Sequence, residues 1–407
     1  MKNRGIASLF LIGALTTGLF VGCGSATKAT STKSDEKILN IWTNMEVETD
    51  ALQKLGDVWG KDHGYKVNVK HQSPSVQQMA QAVNSKDAPD AVVGIPNDQL
   101  ADYMNAGLTQ EVPKDIYQDA DFSPAAVQAC YSEGKRYALP IAVETISLFV
   151  NTDLVKEIPS SWEELVKSAK TVGGVQFDAS SIYYDLGFVR ACGGYIFKYN
   201  NGKYDVKDIG LDKEGAVRAY SFINSLHKDY GYVSQDITAD IARSNFQNGK
   251  TAYYIGGPWD VDGFKSAGRN FKVVEMPTFN GQAFTTPVGT QVGFVLSKSK
   301  NADAAWRFIQ YVANDGAQDL YKAGNRIPAK LSEQAGDALK NNETTNAFIA
   351  QIKHGEALPT VSEMGQLWDI HSNNVKSMWA GTLSPKEAAE NITAQLKEAS
   401  KLIDSGK

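Results

Sequence analysis

The chain has 407 residues and a formal net charge of −5, from 41 lysines and arginines against 46 aspartates and glutamates. A mildly acidic chain with no basic patch is unsuited to nucleic acid, whose affinity rests on cations set against phosphates. Three cysteines over this length make no disulfide framework and supply no Cys-x-x-Cys metal motif.

Lys2 and Arg4 make a short basic start, and Ile6 to Val21 run mostly apolar with small residues mixed in, too short and wrongly flanked for a membrane span. Residues 1–22 therefore read as a signal peptide. Phe20-Val21-Gly22-Cys23 has the form of a bacterial lipoprotein cleavage site, with a small residue ahead of a cysteine that takes up lipid and with Phe20 in place of the usual leucine. Cys23 is the expected lipidation site, and residues 23–37, rich in Ser, Thr, Ala and Lys, the expected flexible tether. Loss of Lys2 and Arg4 with the signal moves the charge from −5 to −7. The mature chain is expected outside the cytoplasm, held at the cell membrane by its lipid.

About 370 residues remain beyond the tether, more than one hydrophobic core usually supports, so two lobes are expected. From Ile38 onward short apolar runs alternate with longer amphipathic segments, which predicts an α/β protein with mainly parallel sheets. The predicted strands are Ile38–Trp42, Val67–Lys70, Ala91–Ile95, Ser147–Asn151, Ala252–Ile255, Lys272–Met276 and Val292–Ser297. Ser161 with Glu164 forms a capping box that starts one helix, and Ser384, Pro385 and Glu387 start another.

The five histidines, His63, His71, His227, His354 and His371, are scattered, and no phosphate loop, nucleophile elbow or dinucleotide fingerprint occurs. No metal or cofactor is expected. A glycosidase needs only two placed carboxylates, which no short motif reveals, so that class stays open. Sugar sites combine flat aromatic rings over pyranose faces with carboxylates and amides that bridge hydroxyls. The chain has seven Trp and seventeen Tyr. Trp42-Thr43-Asn44-Met45-Glu46 closes the first predicted strand and Gly256-Gly257-Pro258-Trp259-Asp260 follows a later one, at strand ends where open α/β sheets place ligands.

Tyr137-Ala138-Leu139-Pro140-Ile141-Ala142-Val143-Glu144 with Ser147-Leu148-Phe149-Val150-Asn151, and the run from Gly193-Gly194-Tyr195 to Lys203-Tyr204-Asp205, closely resemble the maltose/maltodextrin-binding proteins of bacterial ABC importers. Asn248-Gly249-Lys250-Thr251-Ala252, Gly257-Pro258-Trp259 and Pro277-Thr278-Phe279 keep that family's order and spacing. The resemblance implies a two-lobed periplasmic-binding-protein fold of type II, each lobe a sheet flanked by helices and joined by a multi-crossing hinge. Lobe 1 would take residues 38–142 and 293–325, lobe 2 residues 147–287 and 329–407, with crossings near 143–146, 288–292 and 326–328. It implies a monomeric solute-binding protein, not an enzyme, that captures a maltodextrin-like oligosaccharide for ABC importer permease subunits. Matched residue by residue, the ligand-binding positions are Trp42, Asn44, Glu46, Asp98, Glu144, Tyr183, Trp259 and Trp368; Glu144 is open to a second reading as a hinge salt bridge. Val47 and Gln99 replace two charged contacts, Gly94 to Asn97 holds no aromatic residue, and Asp369 replaces an aromatic neighbour of Trp368. Another oligosaccharide therefore stands as the alternative ligand, with a secreted glycosidase behind it. Cys130 and Cys192 would fall in different lobes, so no bridge between them is expected.

Overall fold

The computed structural model describes residues 37–85, 88–132, 134–200 and 203–405; the expected signal peptide, Cys23 and the tether up to residue 36 lie outside the described residues. Residues from Lys37 onward form one compact unit. Its larger sheet orders its strands as Ile327–Pro328, Leu139–Glu144, Pro287–Val295, Ala91–Pro96, Lys37–Thr43 and Tyr65–His71, with Glu356–Ala357 added on Pro287–Val295. The smaller sheet runs Phe271–Val274, Ser147–Asn151, Tyr253–Gly256 and Val175–Gln176. Helices flank both. None among the described residues is long and apolar enough to cross a membrane.

Local sequence explains most elements. In Lys37–Thr43 every second side chain from Leu39 is buried, whereas Pro287–Val295 is buried at every position, the pattern of a strand covered on both faces. Lys37 already pairs with Tyr65, so the strand begins one residue inside the stretch expected as tether. Helix Pro385–Asp404 starts with the full expected box: Ser384 Oγ accepts from the Glu387 amide, Glu387 accepts from the Ser384 amide, and Pro385 fills the first turn. Helix Trp162–Val172 has only half of its box. Ser161 Oγ accepts from the Glu164 amide, but the Glu164 carboxylate turns to the amide and hydroxyl of Ser160.

The sheets are mixed rather than mainly parallel. Lys37–Thr43 runs parallel to both its neighbours, but Pro287–Val295 is antiparallel to Ala91–Pro96 and to Leu139–Glu144, and Ser147–Asn151 is antiparallel to both of its own. Hydrophobic periodicity reports which faces are covered and is silent on direction. Direction here is set by the chain's passage between the sheets: Leu139–Glu144 in one and Ser147–Asn151 in the other are separated only by Thr145 and Ile146. Thr145 Oγ1 donates to the Pro287 carbonyl at 2.8 Å and lies 2.7 Å from Thr286 Oγ1, tying this passage to the return strand. That strand starts five residues before the predicted Val292, and Leu139–Glu144 had no predicted counterpart. Pro140 masks it; the missing amide is accommodated where the register shifts between Gln291 and Val292.

Aromatic residues build most of the core. Trp162, Phe188, Phe222, Phe279 and Phe284 interlock at edge-to-face and tilted angles, and Phe149, Phe246, Tyr254, Phe264 and Phe271 form a second group. Of the seven tryptophans, Trp59, Trp162, Trp306 and Trp379 are buried. That leaves Trp42, Trp259 and Trp368, the three the resemblance selects. Cys130 and Cys192 are both free thiols.

Candidate functional site

Three passages of the chain meet at one carboxylate. Glu144 ends its strand with Oε2 at 2.7 Å from Arg326 Nη1, while Gln291 Nε2 donates to Oε1 at 3.2 Å. The same guanidinium donates through Nε to Glu48 Oε1 at 2.8 Å, and Glu48 is 1% exposed. The approach depends on Gly324, where a Cβ would fall 1.8 Å from Glu48 Oε1. Asn325, in the left-handed region at φ 56°, donates from its side chain to Asp262 Oδ2 at 2.7 Å. Glu48, Glu144, Trp259, Asp262, Asn325 and Arg326 thereby line a cavity of about 200 Å³.

Trp259 reaches this cavity from a braced turn. Asp260 is 2% exposed and accepts from the Tyr254 hydroxyl at 2.8 Å, the Gly257 amide at 3.3 Å and Arg243 Nε. Burial raises its pKa and these partners oppose the rise. With the turn held, the indole lies across Gly257, where a Cβ would sit 2.2 Å from the ring, yet Trp259 stays 41% exposed. An exposed indole held in place by buried polar groups is a ready stacking surface.

A second group converges beside the first. Asp98 lies in the first turn of helix Asn97–Asn105, with its carboxylate beside its own amide and the Trp368 side chain. Burial raises its pKa above 3.8, Glu144 and Asp102 add to the rise, and the hydrogen bonds oppose it. Tyr183, near the start of helix Ile182–Ala191 behind the Ser181 cap, has a buried hydroxyl with no hydrogen-bond partner among the described residues. Burial drives its pKa well above the usual phenol value, and the negative charges of Glu144 and Asp98 both contribute. Asp98, Glu144, Tyr183 and Trp368 thus form one constellation.

The remaining predicted residues stand apart. Trp42 is half-buried and packs on the core, Glu46 is exposed, and the side chains of Asn44 and Glu46 make no hydrogen bond or ion pair with the described residues. Their loop reaches the cavity through Val47 and Glu48 instead. Sequence reasoning missed Glu48, Gln291, Asn325 and Arg326. Arg326 had a usable signal, a lone cation at an expected hinge crossing opposite predicted acidic residues. It also missed Asn97, whose amide donates to Leu358 O and Thr360 Oγ1 and whose Oδ1 accepts from the Thr290 amide. Among the described residues no cluster of three or more His, Cys, Asp or Glu is placed to hold a metal ion.

A sequence model described as bacterial extracellular solute-binding protein matches residues 54–347. The galactooligosaccharide-binding protein of Bacillus subtilis (strain 168) is 29% identical over the full length of both chains. The maltooligosaccharide ABC transporter solute-binding lipoprotein of Streptococcus pneumoniae (strain ATCC BAA-255 / R6) is 28% identical over 98% of this chain and 99% of its own. Among solved structures, the maltose-maltodextrin binding protein of Alicyclobacillus acidocaldarius superposes with a TM-score of 0.80 at 29% identity, covering 89% of this chain and 100% of that one. The chain shares with such proteins the two-lobed α/β fold of type II.

Two measurements follow from these electrostatics. Arg326→Met leaves Glu48 buried without a counter-charge and is expected to cost about 3 kcal/mol in urea unfolding, the usual penalty for breaking a buried ion pair from one side; a loss below about 1 kcal/mol would show that Glu48 is solvated. Asp98 has a folded-state pKa above its unfolded value, so protonation favours the fold and the ionised carboxylate weakens it at neutral pH. Asp98→Asn should therefore raise the melting temperature at pH 7, and the gain should vanish below about pH 3, where the carboxyl is neutral in both states.

Proposed function

The chain belongs to the bacterial extracellular solute-binding proteins, and from that premise we propose that it captures maltose/maltodextrin-type oligosaccharides in the cleft built around Glu144 and delivers them to an ABC importer. The observation that carries this reading is the convergence of Asp98, Glu144, Tyr183 and Trp368 beside the exposed Trp259. Indole and phenol rings cover the apolar faces of pyranose units, and two acidic side chains accept from the hydroxyls along their edges. The Tyr183 hydroxyl, unpartnered among the described residues, gains a sugar oxygen.

Lobe 1 in this proposal comprises residues 38–142 and 293–325 and lobe 2 residues 147–287 and 329–407, with the hinge at 143–146, 288–292 and 326–328. Sugar bound between the lobes favours the closed arrangement by its differential affinity for it, and the importer's permease subunits recognise that shape. The cycle needs no chemical step, in keeping with relatives that are named as binding proteins. The B. subtilis relative supports a second reading, a galacto-oligosaccharide in the same cleft. Val47 and Gln99, where charged contacts would be expected, favour it too by loosening the requirement for one hydroxyl pattern.

We place the protein outside the cytoplasm as a monomer tethered by a lipid on Cys23, a reading supported by the sequence around that cysteine and by the lipoprotein relative. Cys23→Ala should release the protein from the membrane fraction or leave it unprocessed. Unchanged processing and membrane association would contradict the anchor.

Calorimetric titration across maltose, maltotriose, longer dextrins and galacto-oligosaccharides tests the ligand. Covering one pyranose face removes apolar area worth roughly 1.5 to 3 kcal/mol, so Trp259→Ala should weaken binding about tenfold to a hundredfold. Its melting temperature should barely change, since the indole is 41% exposed. Trp368→Ala should lose affinity and stability together, because that ring also packs on the core. An unaltered affinity in the Trp259 variant would remove it from the site.

A further inference from the structure

Two helices bring rings to the cleft: Ile182–Ala191 carries Tyr183 and Glu363–Trp379 carries Trp368. Two residues beyond Tyr183, Asp185 is 0% exposed and neither carboxyl oxygen has a hydrogen-bond partner among the described residues. Three residues beyond Trp368, His371 is equally buried. Its Nδ1 lies 2.9 Å from the Ser180 carbonyl and so carries the proton, while Nε2 has no hydrogen-bond partner among the described residues and stands 3.8 Å from Asp185 Oδ2. Tyr220, on helix Glu214–Lys228, packs its ring 5.7 Å from the imidazole, and its buried hydroxyl is also unpartnered.

We propose that Asp185 and His371 are positioning residues, whose buried contact fixes the helix carrying Tyr183 against the helix carrying Trp368 and so sets the gap that receives a sugar ring. The inference rests on the sugar site proposed above. An apolar pair would pack the two helices more cheaply than a carboxyl and an imidazole shut away from water. What the polar pair adds is direction. The Ser180 carbonyl fixes which imidazole nitrogen is bare, and a single hydrogen on Asp185 then has one acceptor to reach. Burial supports that arrangement: it drives the Asp185 carboxyl well above the usual carboxylate range, with Asp178 adding to the rise, and lowers His371 to about 4. Both directions favour the uncharged form of each group. Asp178 and Tyr220 are the other titratable groups that act on Asp185 or pack on His371, and neither is a cation that would draw the proton off.

The test compares two substitutions that keep the packing and differ in the donor. Asp185→Asn retains a neutral polar group able to donate to Nε2, whereas Asp185→Leu retains volume and cannot. Maltotriose affinity, melting temperature and sugar-free crystal structures are measured for wild type and both variants. The expected result is an asparagine variant within about twofold of wild type and a leucine variant weakened about fivefold or more at a comparable melting temperature. The Tyr183 and Trp368 rings should shift by about 1 Å relative to each other only in the leucine variant. Wild-type affinity in the leucine variant, or equal losses in both, overturns the proposal. Should the leucine variant not fold, His371→Met removes the acceptor and is read in the same way. If wild type binds no malto-oligosaccharide, the sugar reading fails by itself, and the ring separation in the sugar-free crystals still decides the positioning role.

Discussion

Arg326 is clasped between Glu48 and Glu144 at the end of strand Leu139–Glu144. The guanidinium has one bond direction for each acid, through Nε and Nη1, a division that a lysine's single ammonium could not reproduce. Two carboxylates facing each other in a partly buried cleft would repel; the shared cation and the Gln291 amide make their closeness tolerable. Gly324 exists for the same reason, leaving room where any side chain would collide with Glu48. From this clasp the geometry spreads outward: Asn325 holds Asp262, the cavity opens against Trp259, and Glu144 presents its charge to Asp98 and Tyr183. The hinge-bridge and ligand readings of Glu144 are thus compatible, since a carboxylate held by Arg326 and Gln291 keeps lone pairs free to accept from a sugar hydroxyl.

At the cleft, polar groups short of partners among the described residues lie beside an exposed aromatic surface. Elsewhere aromatic rings interlock in the core and caps close helix ends. Here a carboxylate sits with a raised pKa, a phenol hydroxyl is buried without a partner among the described residues, and an indole lies exposed on a rigid turn. Such groups weaken the empty protein, and a ligand that satisfied them together would offset that cost. The buried Asp185 and His371 lie one layer further back, on the same two helices, where geometry at the rings can be set without contact to the sugar.

How much of this could be read from the sequence follows from the range of the interactions. Strand Ser147–Asn151 and the cap at Ser384 were legible because their determinants are a few residues apart. Leu139–Glu144 was hidden as a strand by Pro140, although the family resemblance of that stretch singled out Glu144. Strand direction was not legible at all, since an apolar run looks the same either way. The partners of Arg326 lie 278 and 182 residues away in sequence, so no local pattern announces the clasp. The Asp98, Tyr183 and Trp368 group came from the resemblance, and composition alone would have misled, because four of the seven tryptophans are core.

A crystal structure grown with maltotriose tests the central claim most directly. One trisaccharide is expected in the cleft, with pyranose faces against Tyr183, Trp259 and Trp368 and hydroxyls donating to Asp98 and Glu144, and with the Arg326 clasp intact. Maltotriose bound instead in the separate aromatic cavity of about 260 Å³ lined by Tyr195, Tyr199 and Tyr204, or a cleft left empty at saturating sugar, would contradict it.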